Sequence, residues 1–270
     1  MTKVIFFDID GTLVDKSAVI SNSTKNALQK LKENGHRIVV CSGRANYQIP
    51  KWLEEHFDGI VSATGACVRS RGEKIYEHFV PAGDAKLVRE ALLRAHGILV
   101  GQTDHETVLS RESYDYMYEH LRKQGRSEER IQLMLGNAVI TETMEDCDTV
   151  RKYFYHRSDR TVEEFTKELG EVFDFAPASF GTADAGCGEI TCRGINKSFG
   201  MLKYILHEDI SATDTIAFGD GPNDTDMIDF AGIGIAMGNA TQDLKVRADM
   251  VTKDIGEDGI AYALKKLGLI

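Results

Sequence analysis

Lys3-Val4-Ile5-Phe6-Phe7-Asp8-Ile9-Asp10-Gly11-Thr12 stands almost at the start of the chain. Val4 to Phe7 is an apolar run rich in β-branched and aromatic residues, too short for a helix. It predicts a strand buried on both faces, as in a parallel sheet. The run ends in Asp8 and Asp10, one residue apart, followed by Gly11 and Thr12. Ligands of open α/β sheets gather at the carboxyl ends of strands, where this pair stands. On a strand that continued through them, both carboxylates project to one side. At about 4 Å and an effective dielectric of about 20 they repel by roughly 4 kcal/mol, which calls for a cation or a proton. A plain surface pair is the alternative, and the buried run leading into it argues against that.

Outward from this strand, Ser23 is a candidate cap for a helix carrying Ala27, Leu28 and Leu31 and stopped by Gly35. Arg37–Cys41 reads as a second buried strand, ending in Ser42-Gly43-Arg44. A helix over 47–56, with Trp52 and Leu53 in the core, leads to a third strand at Gly59–Ser62 and then Ala63-Thr64-Gly65-Ala66. Strand, helix, strand, helix, strand is the doubly wound pattern with right-handed crossovers.

A hairpin around 71–73 follows, and from about Gly83 the pattern changes to mixed pieces. Helices are expected over 83–95, 114–123, 127–135 and 162–169, with strands near 98–100, 107–109, 153–155 and 172–175. A glycine-rich loop over 177–188 serves as the return. The doubly wound pattern then resumes with a helix over 197–207 and a strand over 215–218 that ends in Gly219-Asp220-Gly221-Pro222-Asn223-Asp224. A helix over 224–230, a strand over 233–236, Met237-Gly238-Asn239-Ala240, a short strand at 250–251 and a helix over 258–267 complete the chain. The expected fold is α/β: a doubly wound parallel-sheet core from 1–82 and 189–270, with an inserted α+β unit over 83–188.

Composition narrows the function. The chain has 270 residues, 42% hydrophobic and 27% charged, ordinary for a soluble globular protein. No apolar run is long enough for a membrane helix, and the first strand begins too early for a signal peptide. Five scattered cysteines read as reduced thiols, which points to the cytoplasm. Cys187 and Cys192 lack the spacing of a zinc site. A net charge of −10 argues against nucleic acid and anionic membrane as partners, while leaving small phosphorylated ligands open.

Three buried strands end in polar clusters: Asp8 with Asp10, Ser42 with Arg44, and Asp220 with Asn223 and Asp224. Neighbouring strand ends bring four carboxylates together without His or Cys, a hard oxygen set that suits Mg²⁺. Lys197, opening a helix, adds the positive charge that a phosphate needs. Plainer roles exist for several of these: Ser42 as a turn cap, Asp224 as the cap of its own helix, Arg44 as a rim ion pair. Glu189 reads as a hinge or strand residue, the eight histidines as structural or surface groups, and Tyr153 to Tyr155 as core.

Asp8-Ile9-Asp10-Gly11-Thr12, Ser42-Gly43-Arg44, Lys197 and Gly219 to Asp224, in this order, resemble the four motifs of the haloacid dehalogenase-like superfamily. Ala236 to Ala240 with Glu257-Asp258-Gly259 resemble its Cof-type, sugar-phosphatase-like branch, and the insertion has the placement and size of that branch's α/β (type IIB) cap. The resemblance implies a Rossmannoid core, a cap that closes over the site, and a Mg²⁺-dependent phosphatase of small phosphorylated metabolites, sugar phosphates foremost. It implies Asp8 as nucleophile, forming an aspartyl phosphate, and Asp10 as general acid and then base. Ser42, Gly43, Lys197 and Asn223 would hold the phosphoryl oxygens. Asp8, the Asp10 backbone carbonyl and Asp220 would ligate the metal, with Asp224 as ligand or orienter. A phosphomutase using the same aspartyl phosphate, or a regulatory phosphate-binding module without turnover, are the alternatives. A monomer or weak homo-oligomer is expected. One departure stands out: the family often has Asn-Gly-Ala where this chain has Thr64-Gly65-Ala66.

Overall fold

The computed structural model describes residues 2–15, 19–135, 137–142, 144, 147, 149–177 and 186–270. The chain forms two compact units, one from residues 1–44, 49–77 and 196–270, the other from 45–48 and 78–195.

The first unit contains β1 (Val4–Phe7), α1 (Asn22–Glu33), β2 (Arg37–Cys41), α2 (Lys51–His56), β3 (Gly59–Ser62), β4 (Cys67–Ser70) and β5 (Glu73–Glu77). The second contributes α3 (Ala82–Arg94), β6 (Ile98–Gln102), β7 (Thr107–Ser110), α4 (Arg111–Lys123), α5 (Glu128–Leu135), β8 (Ala138–Thr141), β9 (Lys152–His156), α6 (Val162–Leu169), β10 (Phe173–Pro177) and β11 (Gly188–Cys192). The chain then returns to the first unit with α7 (Lys197–His207), β12 (Thr215–Gly219), α8 (Thr225–Phe230), β13 (Ile233–Ala236), α9 (Gln242–Arg247), β14 (Met250–Val251) and α10 (Gly259–Lys266).

The sheet of the first unit runs β14-β13-β12-β1-β2-β3-β4-β5. It is parallel from β14 to β3; β4 then runs antiparallel to β3, and β5 antiparallel to β4. Its helices form two groups, α1 with α10 and α7 with α8 and α9, as a sheet covered on both faces requires. β1 is central, all four of its residues are fully buried, and Phe7 stacks on Phe218 of β12 with ring centres 5.1 Å apart. Successive strands are added on one side of β1 early in the chain and on the other side late, so the order reverses there. That switch point is where an open α/β sheet binds ligands.

Three local expectations shift. The first helix is capped by Ser21, whose side chain accepts from the Thr24 N–H at 3.0 Å, instead of Ser23. The helix expected over 47–56 begins only at Lys51, after Pro50, because residues 46–48 form a separate 3₁₀ turn. β1 stops at Phe7: the Ile9 carbonyl accepts from the Leu13 and Val14 N–H groups at 3.0 and 2.9 Å, which folds the chain into a turn. Asp8 and Asp10 therefore do not share one continuing strand; Asp8 is buried and Asp10 is exposed.

The second unit's sheet runs β10-β11-β9-β6-β7-β8. β8 was not expected from the sequence, and β11 was expected on the core side of a boundary at 189. Pairing of β11 with both β10 and β9 puts it in the second sheet, so the chain returns near Asn196. Glu189 is a buried strand residue that pairs with Lys152 at 2.8 Å. The expected return loop over 177–188 falls largely on 178–185, outside the described residues.

α7 carries Lys197 to the site, and its start is fixed tightly. Asn196 caps it, accepting from the Phe199 N–H at 2.9 Å, and Asp226 accepts from the Ser198 N–H at 2.7 Å. The turn at 63–65 packs against this end so closely that a Cβ on Gly65 (φ +97°) would lie 2.0 Å from the Asn196 carbonyl oxygen. Beside it, Thr64 has φ +56°, a left-handed conformation that asparagine adopts readily and a β-branched residue does not. Gly65→Ala is expected to destabilise the first unit by at least about 2 kcal/mol, and Thr64→Asn to stabilise it by about 0.5–1 kcal/mol, in urea unfolding. Equal effects of the two substitutions would show that the turn bears no strain.

Candidate active site

Four loops that follow β1, β2, β12 and β13 build the site. Asp8 leaves β1 with its N–H on the Phe218 carbonyl at 3.0 Å. The Lys197 ammonium donates to Asp8 Oδ1 at 2.6 Å and to Asp224 Oδ1 at 2.5 Å, and all three side chains are buried. The other oxygen of Asp224 accepts from the backbone N–H groups of Asp220 and Gly221, both at 2.9 Å. Asp224 thus ties the loop after β12 to Lys197, and its two oxygens are already engaged.

Asp220 is held from the loop after β1. Thr12 Oγ1 donates to its Oδ1 at 3.1 Å, and Asn239 Nδ2 approaches its Oδ2 at 3.5 Å. Asn239 also donates to the Gly11 carbonyl at 2.8 Å and accepts from the Ile255 N–H at 3.0 Å, so one amide joins three loops. Gly11 has φ +83°, and a Cβ there would lie 2.1 Å from Asp220 Oδ2. Only glycine fits that turn against that carboxylate.

Asp8, Asp220 and Asp224 each offer an oxygen within 4.8 Å of the others. Asp10 does not join them. Its carboxylate, 61% exposed, pairs with the Arg44 guanidinium through two bonds, Nε to Oδ2 at 2.8 Å and Nη2 to Oδ1 at 2.6 Å. The expected convergence of four carboxylates is therefore a cluster of three, with the Asp10 carboxylate paired to Arg44 and near enough to raise Asp220.

The cluster is short of positive charge. Burial pushes Asp8 up to about 8; Lys197 pulls it down, and Asp224 and Asp220 raise it. Burial also pushes Asp220 up to about 7, with Asp224 adding to the rise and the Thr12 hydroxyl and Lys197 opposing it. Burial works against the charge of Lys197, but Asp224 and Asp8 outweigh it and hold the ammonium well above its ordinary range. One ammonium faces three carboxylates, so a site able to ionise fully needs a further cation. Oxygen-only donors, two of them buried and Asp220 half-buried, fit a hard divalent metal.

Of the other expected residues, Ser42 is buried, its N–H donating to the Val61 carbonyl at 2.9 Å and its Oγ accepting from the Arg44 N–H at 3.2 Å. It caps its own turn, and its proton is left for another acceptor. Gly43 and Asn223 lie half-buried in the loops after β2 and β12. Sequence reasoning passed over the roles of Thr12, Asn239 and Asp226. The signal for the first two was present, since both lie in polar turns directly after buried strands.

The sequence profile of the haloacid dehalogenase-like hydrolases matches residues 5–264. The chain belongs to that family. YkrA of Bacillus subtilis is 32% identical over 275 residues, 100% of this chain and 99% of its own. YitU of the same organism, named a 5-amino-6-(5-phospho-D-ribitylamino)uracil phosphatase, is 26% identical over 272 residues, 97% of this chain and 96% of its own. Among solved structures, the subclass IIB sugar phosphatase BT4131 is similar with a TM-score of 0.80 and 27% identity, each chain covered at 100%. The α/β fold and the phosphatase class of this haloacid dehalogenase-like chain follow from these matches.

Lys197 is the counter-charge that lets Asp8 and Asp224 share a dry site. Removing one partner of a buried ion pair leaves the others uncompensated, so Lys197→Met is expected to lower stability by about 3–5 kcal/mol in urea unfolding at neutral pH. A loss under about 1 kcal/mol would mean that solvent, and not Lys197, compensates the two carboxylates.

Proposed function

We propose that the chain is a Mg²⁺-dependent phosphatase of small phosphorylated metabolites, with sugar phosphates as the first substrate class, working through an aspartyl phosphate on Asp8. The observation that carries this reading is the buried Asp8–Lys197–Asp224 contact with Asp220 beside it, at the switch point of a doubly wound sheet. The name of the structural relative BT4131 supports the sugar class.

Asp8 Oδ attacks phosphorus, and the bond to the leaving oxygen breaks as Asp10 gives that oxygen a proton. Asp10, now ionised, takes a proton from a water that attacks the aspartyl phosphate, releasing inorganic phosphate and restoring Asp8. Lys197 and the Ser42 hydroxyl bind the phosphoryl oxygens, with the Gly43 and Asn223 loops beside them, and offset their charge as it shifts. Asp8, Asp220 and the Asp10 carbonyl would hold Mg²⁺, while Asp224 fixes Lys197 and the Asp220 loop. When bound, the metal supplies the missing positive charge, without which two anions would have to meet.

Asp8 lies in direct contact with Lys197, so Asp8→Asn keeps the shape and removes the nucleophile. Phosphate release from 4-nitrophenyl phosphate and from a panel of sugar phosphates is expected to need Mg²⁺, to stop with EDTA, and to fall at least about 1,000-fold in Asp8→Asn. Release that survives Asp8→Asn contradicts the assignment of the nucleophile. An isomeric sugar phosphate formed without release of phosphate contradicts the phosphatase reading in favour of a mutase.

A further inference from the structure

The roles above leave Arg44 without a task. Its pair with Asp10 is a two-point contact in which the planar guanidinium matches both carboxylate oxygens. Asp10 is 61% exposed, and exposed ion pairs contribute little to stability, so stabilisation does not account for this geometry. The placement does suggest a purpose. Asp10 and Arg44 are each the third residue beyond adjacent parallel strands, β1 and β2, whose ends are in register at Phe7 and Val40.

The main chains of both partners are held, Asp10 in a bridge with Val14, but their side chains differ in exposure, 27% for Arg44 against 61% for Asp10. The main chain of Arg44 is tied on both sides, its N–H to Ser42 Oγ at 3.2 Å and its carbonyl to the Ala63 N–H at 2.7 Å. Asp10 is the exposed partner, and its side chain is held through the two guanidinium bonds. An anchored fork therefore fixes the direction of an otherwise exposed carboxylate.

We propose that Arg44 is the positioning residue of Asp10, holding its carboxylate in the orientation from which it hands a proton to the leaving group and later takes one from water. A carboxyl group has about four lone-pair positions: Arg44 fills two, and one of the other two carries the proton that goes to the leaving oxygen and, once emptied, accepts one from water. The inference rests on the reading of Asp10 as the proton-handling group.

Two substrates of similar shape test it: 2-phenylethyl phosphate, whose alkoxide needs a proton to leave, and 4-nitrophenyl phosphate, whose leaving group departs as a stable anion. Arg44→Met is expected to lower kcat about 30- to 100-fold on the alkyl ester and less than about 5-fold on the nitrophenyl ester, with KM similar on both. Added guanidinium ion restores part of the alkyl activity, and Arg44→Lys, with one point of contact, falls between Arg44→Met and wild type. Because Arg44 acts through Asp10, Arg44→Met/Asp10→Asn is expected to be no slower than Asp10→Asn alone. Equal losses on both substrates, or full additivity in the double variant, overturn the proposal while leaving Asp10 in its role. If Asp10→Asn itself shows no preference between the two esters, the acid–base reading of Asp10 fails, and the role of Arg44 fails with it.

Discussion

The site depends on one ammonium group out of reach of water. Lys197 Nζ lies 2.6 Å from Asp8 and 2.5 Å from Asp224, and all three are buried. Burying such charges costs several kcal/mol each unless they meet in good geometry. Here the geometry is good, yet the charges do not balance, because Asp220 stands within the same cluster. Structure built for stability alone tends to end with charges matched. A cluster of oxygens whose charges do not balance, at the head of a sheet, could hold a metal ion.

Much of the surrounding backbone serves to hold that arrangement still. Gly65 lets the turn after β3 approach the start of α7, and Gly11 lets the turn after β1 approach Asp220. Asn196, Asp226 and Asn239 then tie loop to helix and loop to loop with side-chain hydrogen bonds. These are inexpensive contacts individually, and their combined effect is to fix the carboxylates relative to one another before any ligand arrives.

The strand ends were legible because buried parallel strands are short apolar runs that stop at polar turns, and β1, β2, β3 and β12 all have that form. Lys197 was legible as a cation opening a helix after a long insertion. Less could be read where tertiary contacts decide. β11 looks like the re-entry into the core, and only its pairing with β9 and β10 assigns it to the second sheet. β8 is four residues after Gly136-Asn137, too short a run to be told from a loop. The separation of Asp10 from Asp8 hinges on a turn in which the Leu13 and Val14 N–H groups meet the Ile9 carbonyl and the Gly11 N–H meets the Val14 carbonyl, which periodicity does not reveal. The partnership of Arg44 with Asp10 needs the β1–β2 register before it can be seen. Thr64 is the reverse case: the departure from the family pattern was visible, and its left-handed φ gives the departure a physical meaning.

The unbalanced cluster is most directly probed by calorimetric titration of Mg²⁺ into the metal-free protein and into Asp220→Asn. One site per chain in the wild type, weakened at least about tenfold in Asp220→Asn, is the expected result, since the variant loses a ligand and a charge together. Equal affinity in the two proteins, or no binding to the wild type, would contradict the assignment of Asp8, Asp220 and Asp224 as a cluster arranged around a missing cation.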